Sequence, residues 1–359
     1  MDRFDDTTKT LVALQWVDEI ANKKKSALLE QFDEPCELKE TFARGIVEKT
    51  LGDRANEFFA NIDKIDSILE DMQKREIHWI TYLDDEYPQT LCDVYDKPFV
   101  LFAKGNVKAL DMRIISVVGT RRPTRYGAKV AEEFSREFAR AGLCIASGLA
   151  RGVDGIAHKA CVDNSSPTIA VFASGLDVIY PAEHRGLADS ILSNGGLLIS
   201  EYPLGTKPLQ YHFPDRNRIV SGISEAVFLP QAAKKSGSLI TMRLAIEQGK
   251  DIFVTPGNIY DEENAGGNEL LREMPHALAI SPEDVLDALH VEREVVEKEP
   301  VQLDIVQSSI VDALHDGEKH FEELLAETGL GVADLTNVLF NLEIEGLIEK
   351  TAGNYYALA

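Results

Sequence analysis

From Arg113 onward, short apolar runs alternate with amphipathic stretches of helical period, and most of the runs end in turns rich in glycine and hydroxyl residues. Parallel strands need crossovers long enough to hold a helix, so this alternation confines the region to a doubly wound, mostly parallel sheet with helices on its faces. The pattern predicts strands at Ile114 to Val118, Leu143 to Ala146, Thr168 to Phe172, Gly196 to Ile199, Glu225 to Leu229 and Asp251 to Val254, with a shorter one at Ala277 to Ala279. Helices are expected to begin near Tyr126, Val153, Glu183, Gly237 and Gly267. Ligands of open parallel sheets bind beyond the carboxyl ends of the strands. The turns Gly119-Thr120-Arg121, Ser147-Gly148-Leu149, Ala173-Ser174-Gly175 and Pro256-Gly257-Asn258 should therefore converge on one crevice.

The flanks have other textures. Leu11, Leu14, Ile20, Leu28, Leu29, Ile62, Ile65, Ile68, Leu69 and Met72 recur at threes and fours among charges, which predicts an N-terminal helical domain over residues 1–76. Short strands and turns around Ile77 to Ile80 and Phe99 to Phe102 lead from it into the α/β domain, assigned residues 77–290. Residues 291–303 begin as a charged stretch without apolar periodicity and read as a linker. Ile305 to Leu314, Phe321 to Thr328 and Val332 to Glu345 read as three helices, and a hairpin around Ala352-Gly353 follows. Three helices and a hairpin describe a winged-helix domain, assigned residues 304–359.

Charge decides which partners such a protein can hold. The chain has Lys+Arg 37 against Asp+Glu 60, a formal net charge of -23, and nucleic-acid affinity rests on cations that neutralise phosphates. Taken whole, the chain repels DNA. Divided by segment, the excess lies at the ends: residues 1–85 carry 12 basic and 20 acidic side chains, and residues 291–359 carry 4 and 15. Residues 113–290 are close to balance, with 18 and 21. Within them Arg113 to Ala131 holds Arg113, Arg121, Arg122, Arg125 and Lys129 and no acid, which makes it the strongest anion site in the sequence.

Four turns carry candidate chemistry. Gly119, Thr120, Arg121 and Arg122 stand between a strand and a helix, where backbone N–H groups, the helix dipole and guanidiniums together suit a phosphate. Ser147 and Gly148 open a second glycine-rich turn, in which Asp154 and His158 at i, i+4 read as a cap and a structural hydrogen bond ahead of a metal or acid–base pair. Tyr211 to Gly222 interleaves aromatics and arginines in a loop before a short helix, as single-strand binders do. Phe213, Asn217 and Arg218 are its candidates, with Phe213 open between base stacking and interior packing. Lys235, Ser236, Gly237 and Ser238 form the last cradle, at another helix start.

The spacing Gly119 to Gly127 does not fit a dinucleotide fingerprint, and no nucleophile elbow, zinc-protease or Walker-type motif is present. Repeated phosphate cradles without a catalytic set suggest a polymer held along its backbone, and no enzymatic activity, metal or cofactor is expected. Cys36, Cys92, Cys144 and Cys161 are too scattered for a disulfide framework, and Met1 to Asp6 lacks the basic-then-apolar order of a signal peptide. No run approaches the roughly eighteen apolar residues of a membrane span. A cytoplasmic protein without membrane contact is expected.

Seven motifs follow one another along the chain: Val118-Gly-Thr-Arg-Arg-Pro-Thr-x-Tyr-Gly127, Ser147-Gly-Leu-Ala-x-Gly-Val-Asp-x-x-Ala-His158, Gly175-Leu-Asp-x-x-Tyr-Pro181, Ser200-Glu-Tyr-Pro203, Phe213-Pro-x-Arg-Asn-Arg-Ile-Val220, Ser236-Gly-Ser238 and Val254-Thr-Pro-Gly257. In order and in spacing they resemble the DNA-processing protein A (DprA/Smf) family. The resemblance implies an extended Rossmann-like core between a SAM-like helical domain and a winged helix. It also implies a homodimer through the Rossmann-like domain that binds single-stranded DNA, protects it and loads the RecA recombinase during natural transformation. A single-strand-binding protein is a further candidate partner. The family's DNA pocket maps onto Gly119, Arg121, Arg122, Ser147, Gly148, Phe213, Asn217, Arg218 and Ser236 to Ser238, the cradles found above. Two departures stand out: Leu229-Pro230-Gln231-Ala232, where many members carry an acidic residue and alanine, and Glu273-Met274-Pro275-His276-Ala277, which puts a sheet edge in question. The alternative is a Rossmann-like enzyme or sensor that binds or hydrolyses a nucleotide. It fits poorly, because the loop before Glu247 lacks the required glycines.

Overall fold

A computed structural model describes residues 5–17, 20–291, 303–315, 317–344 and 346–358. Most of the expected linker, residues 292–302, lies outside them. The described residues form two units, divided near residue 292, and each is treated by itself.

In the first unit eight strands make one sheet: β1 (Ile77–Thr81), β2 (Val100–Gly105), β3 (Ile114–Val117), β4 (Cys144–Ser147), β5 (Thr168–Phe172), β6 (Leu197–Ser200), β7 (Ala226–Leu229) and β8 (Asp251–Val254). Their order is β1-β2-β6-β5-β4-β3-β7-β8, with β6 to β8 parallel and β1 and β2 added antiparallel at one side. The inner strands are buried along their whole length, as expected where helices cover both faces. Chain order runs one way from β3 to β6 and then restarts beyond β3 with β7, so the switch point lies between β3 and β7. Ligands of this fold class bind there.

The helices around the sheet are α5 (Gln89–Cys92), α6 (Arg125–Arg140), α7 (Val153–Asp163), α8 (Arg185–Ser193), α9 (His212–Gly222), α10 (Ser238–Glu247), α11 (Ala265–Glu273) and α12 (Pro282–Ala288). On α6, Val130, Ala131, Phe134 and Phe138 form the buried stripe, and Phe134 stacks on Phe228 of β7 at 4.5 Å between ring centroids. N-terminal to the sheet lie α1 (Asp6–Gln15), α2 (Asn22–Leu29), α3 (Arg44–Leu51) and α4 (Ala55–Lys74). Their apolar faces share a core with it: Leu11, Leu14, Phe58 and Leu69 join Ile77, Phe102 and Leu198 in one cluster, and Trp16 meets Phe102 edge-on at 5.5 Å.

Three expectations change. The Ala277 to Ala279 strand shrinks to a single parallel bridge between Val254 and Leu278, because the 3₁₀ turn Pro275–Ala277 takes up its first residue. The segment from His212 is helical from its first residue; Pro214 falls in the first turn, where no intrahelical donor is required. The pattern also gave no sign of α12, although Ser281 and Asp284 form a capping box with Pro282 at the first position.

The second unit is a winged helix: α13 (Ile305–Leu314), β9 (Lys319–His320), α14 (Phe321–Thr328), α15 (Val332–Ile344), β10 (Ile348–Lys350) and β11 (Tyr355–Leu358), with strand order β10-β11-β9. Ile310, Leu314, Leu324, Leu335, Leu339, Leu342, Ile348 and Tyr356 fill its core. Among the described residues no helix is long and apolar enough to cross a membrane.

Candidate nucleic-acid interface

A crevice of about 800 Å³ opens beyond the carboxyl ends of the strands around the switch point. Its first wall is the turn after β3. There the chain keeps pairing past the strand, with the Val118 N–H on the Phe228 carbonyl and the Thr120 N–H on the Gln231 carbonyl, both at 3.0 Å. Thr124 caps α6 by accepting the Gly127 N–H at 3.2 Å. The buried Gln231 amide locks the corner: its oxygen accepts the Thr124 N–H at 2.9 Å and its nitrogen donates to Asn264 at 2.7 Å. Gln231 stands at one of the two departures noted above and is a structural clasp. Arg121 and Arg122 are left exposed on the crevice wall.

The second turn packs onto the first and can do so only through glycine. Gly152 sits at φ +74°, and a Cβ there would run into the Thr120 carbonyl and Arg121 backbone. At Gly148 the space a Cβ would take is filled by the Arg216 guanidinium. Arg216, buried at the crevice floor, donates to the carbonyls of Gly148 (2.9 Å) and Val171, and its Nε donates to the Asn217 amide oxygen at 3.3 Å. Burial pushes this guanidinium down to about 10 against the opposing pull of Asp154, so it remains a cation at neutral pH. The Asp154 carboxylate accepts the N–H groups of Gly148 and Ala150 at 3.2 and 3.4 Å. Burial raises its pKa, and the Arg216 charge works against that rise.

His158 plays a separate, structural part. Thr168 spends its hydroxyl proton on the Ile145 carbonyl at 2.6 Å, so at 2.8 Å it accepts from His158 Nδ1–H and leaves Nε2 bare and buried. Burial, helped by the charges of His184 and Arg216, lowers the ring's pKa from 6.5 to about 3. A group held deprotonated by folding contributes stability that is complete above its unfolded pKa and is lost as pH falls toward the folded one. Stability is expected to decline between about pH 6.5 and 3, with up to ~1.4 kcal/mol per unit coming from this ring. Urea unfolding of the wild type and His158→Leu across that range checks it: the variant should show the flatter profile, and parallel profiles would refute the assignment.

The third wall is α9, whose residues Phe213, Asn217 and Val220 at i, i+4, i+7 share the crevice-facing side. The Phe213 ring lies under the Arg121 guanidinium at 5.3 Å and meets Tyr180 edge-on at 5.6 Å. The last wall is the turn before α10, where Lys235 is exposed and the Ser236 and Ser238 hydroxyls lie 2.7 Å apart. Among the described residues Arg121, Arg122 and Lys235 form no ion pair, whereas Arg151 is spent on Glu183 at 2.6 Å.

The structure thus brings together Gly119, Thr120, Arg121, Arg122, Gly148, Phe213, Asn217, Lys235, Ser236, Gly237 and Ser238. It does not bring Ser147 or Arg218 to the crevice. The Ser147 hydroxyl is fully buried and donates to the Val117 carbonyl at 2.6 Å between neighbouring strands. Arg218 lies on the far side of α9 in an ion pair with Glu201. Arg216 holds the place expected for Arg218: on a helix the two residues are about 200° apart, so one at most can face the crevice. Tyr180, Gln210 and Glu263 also line the crevice, and only Tyr180 fell in a motif.

These features define an extended Rossmann-like α/β protein with a cation-bearing crevice at its switch point, joined in one chain to a winged helix. The family model described as DNA recombination-mediator protein A matches residues 78–290, and that of the DprA winged helix domain matches residues 297–354. The DNA processing protein DprA of Bacillus subtilis is 42% identical over 246 residues, which span 68% of this chain and 82% of the relative. Protein Smf of Escherichia coli is 36% identical over 303 residues, 82% of this chain and 81% of the relative. The X-ray structure of Streptococcus pneumoniae DprA superposes with a TM-score of 0.67 at 34% identity, covering 79% of this chain and 98% of that one. Helicobacter pylori DprA, whose structure describes a single-stranded DNA binding mode, gives a TM-score of 0.54 at 33% identity over 59% of this chain and 96% of that one. The chain belongs to the DprA/Smf family of DNA-processing, recombination-mediator proteins.

Proposed function

We propose that this protein binds single-stranded DNA in the crevice bounded by Gly119 to Arg122, Gly148, Phe213, Asn217 and Lys235 to Ser238. The observation that carries the reading is the set of unpaired cations, Arg121, Arg122 and Lys235, around an aromatic ring on strand-end turns. Such a surface holds phosphates by charge and a base by stacking, without a reacting group. Family membership supports a role as recombination mediator: the protein keeps incoming single strands and passes them to the RecA recombinase during natural transformation. We take it to act as a homodimer through the Rossmann-like domain, without an enzymatic step, with a single-strand-binding protein as a further partner and the cytoplasm as its place. The sequence divisions at 76/77, 290/291 and 303/304 are kept as the proposed domain boundaries.

Fluorescence anisotropy with labelled oligothymidine and with duplex of equal length tests the binding step. Single strands are expected to bind more tightly, with log affinity falling by about 0.7 per neutralised phosphate for each decade of salt. Equal affinity for duplex, or salt-independent binding, would overturn the proposal. A nucleotide monophosphate that bound at micromolar levels where oligothymidine did not would restore the nucleotide-enzyme alternative.

A further inference from the structure

Arg218 faces away from the crevice, yet the groups that hold it also hold the crevice's walls. Its guanidinium is 8% exposed and donates to Glu201, itself 4% exposed, at 2.6 Å, while its Nε lies 3.6 Å from Asp96. Its carbonyl accepts from Gln248 at 3.0 Å, one residue beyond the end of α10, whose first turn continues the last crevice wall. Both acids are in turn gripped by the N-terminal helices. Gln15, at the end of α1, donates to the Glu201 carbonyl at 2.5 Å. Asn22, the first residue of α2, donates to the Asp96 carboxylate and to the Lys97 carbonyl, both at 3.0 Å. Asp96 has φ 59°, in the left-handed region that Asp visits more readily than most residues. Two of the guanidinium nitrogens, Nε and Nη1, make no hydrogen bond, so charge and enclosure alone fix that side of Arg218.

We infer that Asp96 and Arg218 are positioning residues through which the N-terminal helices fix the seating of α9, and with it the placement of Phe213 and Asn217 in the crevice. The consequence for single-stranded DNA rests on the function proposed above. Asn22 is the point at which to cut the connection. Asn22→Ala removes the grip on the Asp96 loop and takes with it a buried amide oxygen that has no partner, and Asn61→Ala sets the scale for losing one comparable amide donation. Asn61, which donates to the Ala13 carbonyl at 3.2 Å within the same helices, provides the control.

The test uses the full chain and two readouts. Amide hydrogen exchange over residues 212–222 without DNA is expected to speed up at least threefold in Asn22→Ala and to stay at the wild-type rate in Asn61→Ala. Oligothymidine affinity is expected to fall three- to tenfold in Asn22→Ala with an unchanged salt slope, because no phosphate contact is lost. Unchanged exchange in α9, or equal acceleration in both variants, overturns the positioning role. Faster exchange with oligothymidine affinity equal to wild type overturns the link from α9 to binding. A wild type that binds no oligothymidine defeats the proposed function, and the exchange comparison still decides the positioning role by itself.

Discussion

Arg218→Ala is expected to lower the stability of the first unit by about 3–5 kcal/mol, the range for removing one partner of a buried ion pair. The cause is the carboxylate left behind. Glu201 is enclosed, its charge is neutralised at 2.6 Å by Arg218, and Asp96 adds a second negative charge nearby. For a unit of this size the loss corresponds to a fall of roughly 10 °C in Tm. It should also depend on pH with a definite sign. Burial raises the Glu201 pKa even in the wild type, and removing the arginine raises it further, so the folded variant takes up a proton that the unfolded chain does not. A raised acid contributes stability that is present below the unfolded pKa and is lost as pH rises through the folded one. The gap between variant and wild type should therefore be wide at pH 7 and narrow toward pH 4. Replacing both partners, Arg218→Met with Glu201→Leu, should recover much of the loss, since a packed apolar pair carries no stranded charge. Thermal denaturation of the three proteins at both pH values checks this. A variant with wild-type Tm at pH 7 would show that the pair does not hold α9.

Sequence periodicity sufficed where one rule governed. The parallel strands came out within a residue or two, because buried runs such as Thr168–Phe172 have no other way to hide both faces, and the three winged-helix helices came out equally well from apolar spacing, while the two-residue strand Lys319–His320 was too short to leave a period. It failed where two rules competed. His212–Gly222 has Pro214, aromatics and charges near its start, so composition spoke for a loop and concealed a helix whose first turn tolerates proline. On the helix Arg216 lines the crevice and Arg218, expected there from the loop reading and from the family resemblance alike, lies on the other side. Ser147 illustrates a different limit: a hydroxyl in a glycine-rich turn is spent on the carbonyl of the adjacent strand, and strand adjacency is set by topology, which local pattern does not encode. Gln231 could not be read as a clasp for the same reason, since its partners Thr124 and Asn264 lie 107 and 33 residues away.

Phe213→Ala is expected to weaken oligothymidine binding by about 1–3 kcal/mol, the value of one aromatic–base stack, or roughly five- to 150-fold. The ring is suited to the task because it is only part-buried, is braced by the Tyr180 edge and has the Arg121 guanidinium 5.3 Å above its centroid. Phe213→Tyr keeps the π-face and should bind close to wild type, which separates stacking from a general loss of shape. Arg121→Ala should behave differently: affinity falls several-fold, and the salt slope drops by about 0.7 because one phosphate contact disappears. The two side chains touch, so their effects are coupled. Arg121 rests on the ring, and under the binding proposed above a base that takes its place would release the guanidinium toward the backbone. Once Phe213 is gone the arginine has nothing to be displaced from, and once Arg121 is gone the ring is open but unassisted. The double variant should therefore differ from the sum of the single effects by 0.5 kcal/mol or more, the usual coupling for residues in contact. Anisotropy titrations of the four proteins at two or more salt concentrations give all the terms. Wild-type affinity in Phe213→Ala together with an unchanged slope in Arg121→Ala would remove the crevice from the DNA path and leave the basic turn as a solvated loop.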